Sequence, residues 1–334
     1  MKNQPRTLPR LLCVVCFVTV TLTAMLNLTA PGQQPRTAFT PAAADDGRVA
    51  ISTEVISVTV SITDPQGRFI TGLTKDAFQV YEDKVAQEIS FFSAHDAPAS
   101  VGIVFDLSGS MQGEKIRRAR EALSHFIQTS HPDDEYCLIG FNDHAQVLMD
   151  HTSDGAALIN RLAGLQPGGD TALYDAVVLG LEQISHGKWP RRALIVISDG
   201  EDNNSRMSYR KIRQMVKEAD VMIYGILIRD YVSRGIGELV MDELSRVSGG
   251  KYFLAENTDQ MTAAFEKIAL ELRQQYSLGY VPAGFVADGK WRKIKIKVTP
   301  PTNTPRIIVR AREGYYAVAD RARRTASAAS RRDH

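Results

Sequence analysis

The chain reads as an α/β protein. Its centre is a doubly wound, mostly parallel sheet with helices on both faces, inserted in a discontinuous antiparallel β domain. Three observations predict this. From about Ser100 to Gln275, apolar strand-like runs alternate with amphipathic helical stretches, the order that βαβ units produce. On either side of that region apolar residues recur with a period of two, as in half-buried strands. Finally, the run Val101-Gly102-Ile103-Val104-Phe105 stops at Asp106-Leu107-Ser108-Gly109-Ser110, which places a carboxylate and two hydroxyls at alternate positions where a buried strand ends.

Residues 1–10 carry Lys2, Arg6 and Arg10 and no acid, and residues 11–30 are uncharged, mostly apolar and long enough to cross a bilayer. This predicts a signal peptide or signal anchor over 1–30. The apolar length suits an anchor, whereas Pro41-Ala42-Ala43-Ala44 offers an A-x-A-like cleavage site, and both readings stay open. Basic residues ahead of the apolar run place the remainder outside the cytoplasm, in the periplasm or secreted; membrane contact then comes only through a retained anchor. Residues 31–48, rich in Pro, Ala, Thr and Gln, read as a linker.

The first β stretch is expected over 49–97. Ile56, Val58, Val60 and Ile62 alternate with polar residues, Asp64-Pro65-Gln66-Gly67 supplies a turn, and Phe78, Val80, Ile89 and Phe91 continue the alternation around a turn at Glu82-Asp83-Lys84. So few strands cannot bury two faces without a partner. The α/β region spans 98–275. Its strands are expected at 101–105, 136–141, 193–198, 221–227 and 251–254, with a short edge strand at 147–149. Its helices are expected near 114–130, 172–184, 209–219, 237–247 and 259–274. The alternation returns over 276–317, with strands at 276–281, 292–298 and 307–311, so the flanking segments are expected to form one β domain around the insertion. Residues 318–334, with Arg321, Arg323, Arg324, Arg331 and Arg332, read as a disordered basic tail.

Composition narrows the function classes. The 334 residues exceed one ordinary domain, and 44% apolar with 23% charged residues is the balance of a globular protein. A formal net charge of +2 argues against a nucleic-acid-binding surface spread over the protein. Cys13 and Cys16 fall in the apolar amino-terminal run, which leaves Cys137 alone in an apolar strand pattern, a buried and inert thiol with no intrachain partner.

Three separated segments carry chemistry. Asp106, Ser108 and Ser110 follow the first strand of the α/β region, Gly168-Gly169-Asp170-Thr171 opens a helix, and Ser198-Asp199-Gly200 ends a later strand. In an open α/β sheet, ligands sit outside the carboxyl ends of the strands where the winding reverses. Carboxylates and hydroxyls without histidine or cysteine are hard oxygen donors, suited to Mg²⁺, Mn²⁺ or Ca²⁺. Because few of these donors are charged, the ion keeps much of its positive charge and an open position for a carboxylate from another molecule. Asp-x-Ser-x-Ser alone also suits a helix amino-terminal cap; its conjunction with Thr171 and Asp199 carries the metal reading.

An enzyme is not expected. No G-x-S-x-G elbow is present, and none of His125, His131, His144 and His151 sits in a catalytic motif. Ser108 stands where haloacid-dehalogenase-like phosphatases carry a second carboxylate, and Gly168-Gly169 lacks the Lys-Ser/Thr ending of a phosphate-binding loop. His144 is expected in an exposed loop at the site rim, and Lys293, Lys295 and Lys297 on a solvated strand face beside Trp291.

The motif Asp106-x-Ser108-x-Ser110, with Thr171 after a Gly-Gly turn and Asp199 in Ile-Ser-Asp-Gly, resembles the metal-ion-dependent adhesion site of von Willebrand factor type A domains over residues 98–275. The flanks 72–83, 276–280 and 312–316 resemble a bacterial family of type A-related proteins common in acidobacteria. This resemblance implies that Ser108, Ser110 and Thr171 ligate an ion, Mg²⁺ or else Mn²⁺ or Ca²⁺, directly, with Asp106 and Asp199 acting mainly through water. It further implies engagement of a Glu or Asp of a protein partner, coupled to movement of the last helix, 259–274. Asp170 is a departure, a further carboxylate beside Thr171 that is expected to point away. The resulting expectation is an exported, metal-dependent, adhesion-type binding module. The alternative is a scaffold or assembly subunit of a cell-envelope complex in which the ion is structural.

Overall fold

The structure, a computed structural model, describes residues 55–94, 96–229, 235–300 and 306–318. The expected signal segment and linker lie outside the described residues, as does the expected basic tail from 319 onward.

The first segment forms β1 (Ile56–Thr63), β2 (Phe78–Glu82), β3 (Val85–Gln87) and β4 (Ile89–Ser93). The α/β region follows with β5 (Ser100–Asp106), α1 (Glu114–Thr129), β6 (Glu135–Phe141), β7 (Ala145–Thr152), α2 (Gly155–Ala163) and α3 (Leu173–Ile184). It continues through β8 (Arg192–Ser198), α4 (Tyr209–Glu218), β9 (Met222–Ile228), α5 (Ile236–Ser248), β10 (Lys251–Ala255) and α6 (Thr258–Arg273). The last segment adds β11 (Tyr276–Tyr280), β12 (Trp291–Val298), β13 (Ile308–Arg310) and β14 (Gly314–Tyr316).

The central sheet has the order β10-β9-β8-β5-β6-β7, parallel throughout except for β7, which runs antiparallel to β6. All seven residues of β5 are buried. That is why this strand reads as a continuous apolar run: helices cover it on both sides. Ile103 and Phe105 point into a core shared with residues of α1, α2 and α6, where the rings of Phe126 and Phe265 pack at 5.4 Å. Val104 points the other way, with residues of α3, α4 and α5. Each such fully buried aliphatic or aromatic side chain contributes about 1.5–3 kcal/mol of transfer free energy. The winding reverses between β5, which leads outward to β6, and β8, which leads to β9 and β10.

The flanking segments interleave in two four-stranded sheets, β13-β1-β11-β4 and β14-β12-β2-β3. Each draws strands from both sides of the α/β region, and together they enclose a core that includes Val58, Val60, Phe78, Leu278 and Tyr315. Within it, Glu82 Oε2 accepts hydrogen bonds from the hydroxyls of Tyr280 at 2.7 Å and Tyr315 at 2.9 Å, so this buried carboxylate is satisfied by its neighbours. Asp83 and Lys84 both have positive φ, as the two-residue turn between β2 and β3 requires.

Two buried groups join the sheets to the α/β region. Arg191 donates to the carbonyls of Ala97, Leu272 and Gln275, and thereby gathers both chain crossings at one guanidinium. Glu271 of α6 accepts from Ser61 Oγ and Tyr224 Oη through Oε1, and from Arg310 through Oε2.

Several local expectations change. The edge strand β7 runs over Ala145–Thr152, longer than 147–149, because pairing with β6 continues through a half-exposed segment with irregular register. Helix α2 and strand β14 were not expected. The first is short and capped by Asp154, whose Oδ1 accepts from the Ala157 amide at 2.9 Å, and the second is three residues long.

Candidate metal centre

Strand β5 carries Asp106 to the carboxyl edge of the sheet, where it is fully buried. Both carboxylate oxygens are engaged: Oδ1 accepts from the Ser108 amide at 2.8 Å and Oδ2 from Ser198 Oγ at 2.6 Å. Burial pushes its carboxyl up to about 6, aided by the charge of Asp199 and opposed by the hydrogen bonds from Ser108 and Ser198. Ser198, at the end of β8, thus ties the two strands that flank the reversal point.

After Asp106 the chain turns through a single 3-10 turn, Gly109–Met111, before α1 begins. Ser108 Oγ and Ser110 Oγ lie 3.0 Å apart, with Ser108 buried and Ser110 exposed. The loop is stitched to the one that carries Thr171: Gly109 N donates to Gly169 O at 2.9 Å, and Gly168 N donates to Leu107 O at 2.7 Å. Gly169 sits at φ +86°, and a Cβ there would approach Asp143 Oδ2 to 2.5 Å, so only glycine fits this turn. Thr171 is buried, its amide donating to Asn203 Oδ1 at 2.8 Å and its carbonyl accepting from the amides of Asn203 and Asn204.

Asp199 follows β8. Its Oδ2 lies 3.2 Å from Lys115 Nζ, whereas Oδ1 is buried and has no hydrogen-bond partner. Buried carboxylate oxygens are seldom left without a donor or a cation. Among the described residues no group of three or more His, Cys, Asp or Glu side chains is arranged to hold a metal. An ion here would therefore depend on hydroxyls together with Asp106 and Asp199. The chemistry of the donor set suits a hard divalent ion: Asp199 Oδ1 has no hydrogen-bond donor, the hydroxyls of Ser108, Ser110 and Thr171 are neutral oxygen donors, and both Asp106 oxygens are already hydrogen-bonded, which suits a role through water.

Other expected residues fall as follows. Asp170 is exposed, and its amide, not its carboxylate, is engaged by Asp143 at 2.8 Å. His144 is exposed in the β6–β7 loop, and Lys293, Lys295 and Lys297 are exposed along β12. Cys137 is buried, and burial pushes its thiol up to about 12. Not anticipated were Lys115, the bond by which Ser198 holds Asp106, and the acids that brace the loops. Asp175 accepts from the amides of Arg206 and Met207, and Asp202 accepts from the Tyr174 amide and Ser205 Oγ. For Asp202 the sequence signal was the density of Asp, Asn and Ser over 199–205.

This geometry can be set beside known proteins. Residues 101–201 match the von Willebrand factor type A domain. The matched segment begins inside β5 and ends just past Asp199, so it encloses all five residues of the candidate centre. The chain is 30% identical over 134 residues to inter-alpha-trypsin inhibitor heavy chain H4 of Homo sapiens, covering 36% of this chain and 14% of that protein. It is also 27% identical over 110 residues to the uncharacterized protein sll0103 of Synechocystis, covering 32% of this chain and 26% of that one. The chain thus matches only a minor part of the length of these curated relatives. Among solved structures, the von Willebrand factor type A protein from Catenulispora acidiphila aligns over 80% of this chain and 75% of its own, with a TM-score of 0.47 and 11% identity.

Proposed function

We propose that this protein is an exported, metal-dependent binding module whose type A domain presents a divalent cation, Mg²⁺ or a similar hard ion, to an acidic residue of a protein partner. The observation that carries this reading is the buried Asp199 Oδ1, which lacks a hydrogen-bond partner at the strand end where Asp106, Ser108, Ser110 and the Thr171 loop converge. Ser108, Ser110 and Thr171 would hold the ion directly and Asp106 and Asp199 would orient its shell. When bound, the ion supplies Lewis acidity to a carboxylate from outside. Binding is favoured over catalysis because the carboxylates near the centre hold loops: Asp106 is spent on Ser108 and Ser198, Asp175 and Asp202 on backbone amides. The export assignment rests on the charge and apolar pattern of residues 1–30.

In this reading α6 transmits engagement. Glu271 ties that helix to β1 through Ser61 and to β13 through Arg310, so a shift of α6 has to move or break contacts of the flanking sheets. The same ties support a second reading, a fixed connector in an envelope assembly with a structural ion. Capture of partners from envelope extract, with and without chelator, separates the two. Chelator-sensitive capture that Ser108→Ala abolishes supports the adhesion-type module; capture indifferent to both supports the connector.

A further inference from the structure

Lys115 is the second residue of α1, in the first turn. A cation there opposes the helix macrodipole, which favours anions at the amino end and cations at the carboxyl end. The neighbouring Glu114 follows the rule and is half exposed, paired with Arg117 and Arg118. Lys115 breaks it and turns inward: its side chain is 19% exposed and its ammonium lies 3.2 Å from Asp199 Oδ2, itself 10% exposed. A local rule broken at a site of convergent oxygen donors points to function.

Asp106 and Asp199 bring two negative charges to the centre, and the remaining donors are neutral hydroxyls. The carboxylates of Asp143, Asp175 and Asp202 accept from backbone amides and brace the surrounding loops, and Asp170 is exposed to solvent, so none of the four is counted in this inner set. A divalent ion alone would bring the inner set to neutrality, and Lys115 adds one positive charge within contact distance of a proposed ligand.

We propose that Lys115 is a resident counter-ion of this centre, competing with the divalent ion for Asp199 and leaving the loaded centre positively charged, so that it selects a carboxylate as its external ligand. The inference rests on the metal-binding reading above and deepens it. Lys115 lowers cation affinity and supplies the charge that draws the acidic partner. Without it the loaded centre carries one positive charge less and discriminates less sharply for a carboxylate.

The test titrates Mn²⁺ into the full-length protein by calorimetry, for wild type, Lys115→Gln, Lys115→Arg and Ser108→Ala, with thermal melting to confirm folding. It then measures retention of each Mn²⁺-loaded protein on a glutamate-bearing resin. Lys115→Gln is expected to bind Mn²⁺ at least about tenfold more tightly, since removing one unit charge at this range in a partly buried site is worth more than about 1 kcal/mol. It is also expected to lose retention on the resin, and Lys115→Arg to stay near wild type in both. Mn²⁺ binding by Lys115→Gln that equals or falls below wild type overturns the competition, and equal retention overturns the selection for carboxylate. If wild type binds Mn²⁺ and Ser108→Ala does not, either failure leaves the metal reading standing. If neither wild type nor Lys115→Gln binds Mn²⁺, both readings fall together.

Discussion

Arg310 donates to Glu271 Oε2 at 2.6 Å, joining β13 of the flanking sheets to the last helix of the α/β region through a carboxylate whose side chain is 3% exposed. Removing one partner of a buried pair leaves the other charge uncompensated and typically costs about 3–5 kcal/mol. Arg310→Met should therefore destabilise the protein by about that amount. Replacing both residues, Glu271→Gln with Arg310→Met, should recover part of the loss. Denaturant unfolding of the two singles and the double checks this, and additive losses would show that the pair is not coupled.

At Gly169, alanine meets two penalties: the positive φ, and a Cβ 2.5 Å from the Asp143 carboxylate. Gly169→Ala is expected to cost about 1–3 kcal/mol in stability. It should also weaken Mn²⁺ binding, because Gly169 O anchors the Ser108–Ser110 loop. Gly168→Ala, where a Cβ would meet nothing within 4 Å, is the control and should behave as wild type in melting temperature and Mn²⁺ titration.

Asn203 holds the Thr171 amide by its side chain and the Thr171 carbonyl by its own amide. Asn203→Ala removes the first bond and leaves a buried donor unmatched, a loss of about 1–3 kcal/mol. Cation affinity should fall while the far-ultraviolet circular dichroism stays unchanged. An unaltered Mn²⁺ affinity would mean that Thr171 is held by other means.

Cys137 gives a test of packing that does not involve the metal. With its thiol pushed up to about 12 by burial, the reactive thiolate is about one part in ten thousand at pH 8. Peptide-resolved alkylation at pH 8 should leave Cys137 unlabelled in the native protein and label it fully in guanidinium. Raising the pH should not expose it until the protein itself unfolds.

Much of the fold was legible in sequence because its strongest signals are burial signals. Strand β5 is enclosed on both faces and reads as unbroken apolar residues, and β1 alternates in sequence, hiding one face in its first half before its second half is enclosed against the α/β region. Elements set by weaker forces were harder to see. Strand β7 is half exposed at a sheet edge, α2 is nine residues long and depends on a single Asp154 cap, and β14 is defined by pairing with β12, which no local pattern reveals. At the candidate centre, Asp106, Ser108, Ser110, Thr171 and Asp199 form a spaced motif. Lys115, Ser198 and Asn203 act through direction: where a helix-start lysine turns, or which loop an asparagine braces, follows from tertiary packing and leaves no periodic trace.

The way Arg191 gathers Ala97, Leu272 and Gln275 has a mechanical consequence. Entry to and exit from the α/β region meet at one guanidinium, and β1 is hydrogen-bonded side by side with both β11 and β13. Tension on the outer ends of β1 and β14 therefore passes from strand to strand within the flanking sheets, and the α/β region hangs as a branch off the load path. In a pulling experiment through those ends, the sheets should shear first, and the cation centre should keep its geometry until they give way.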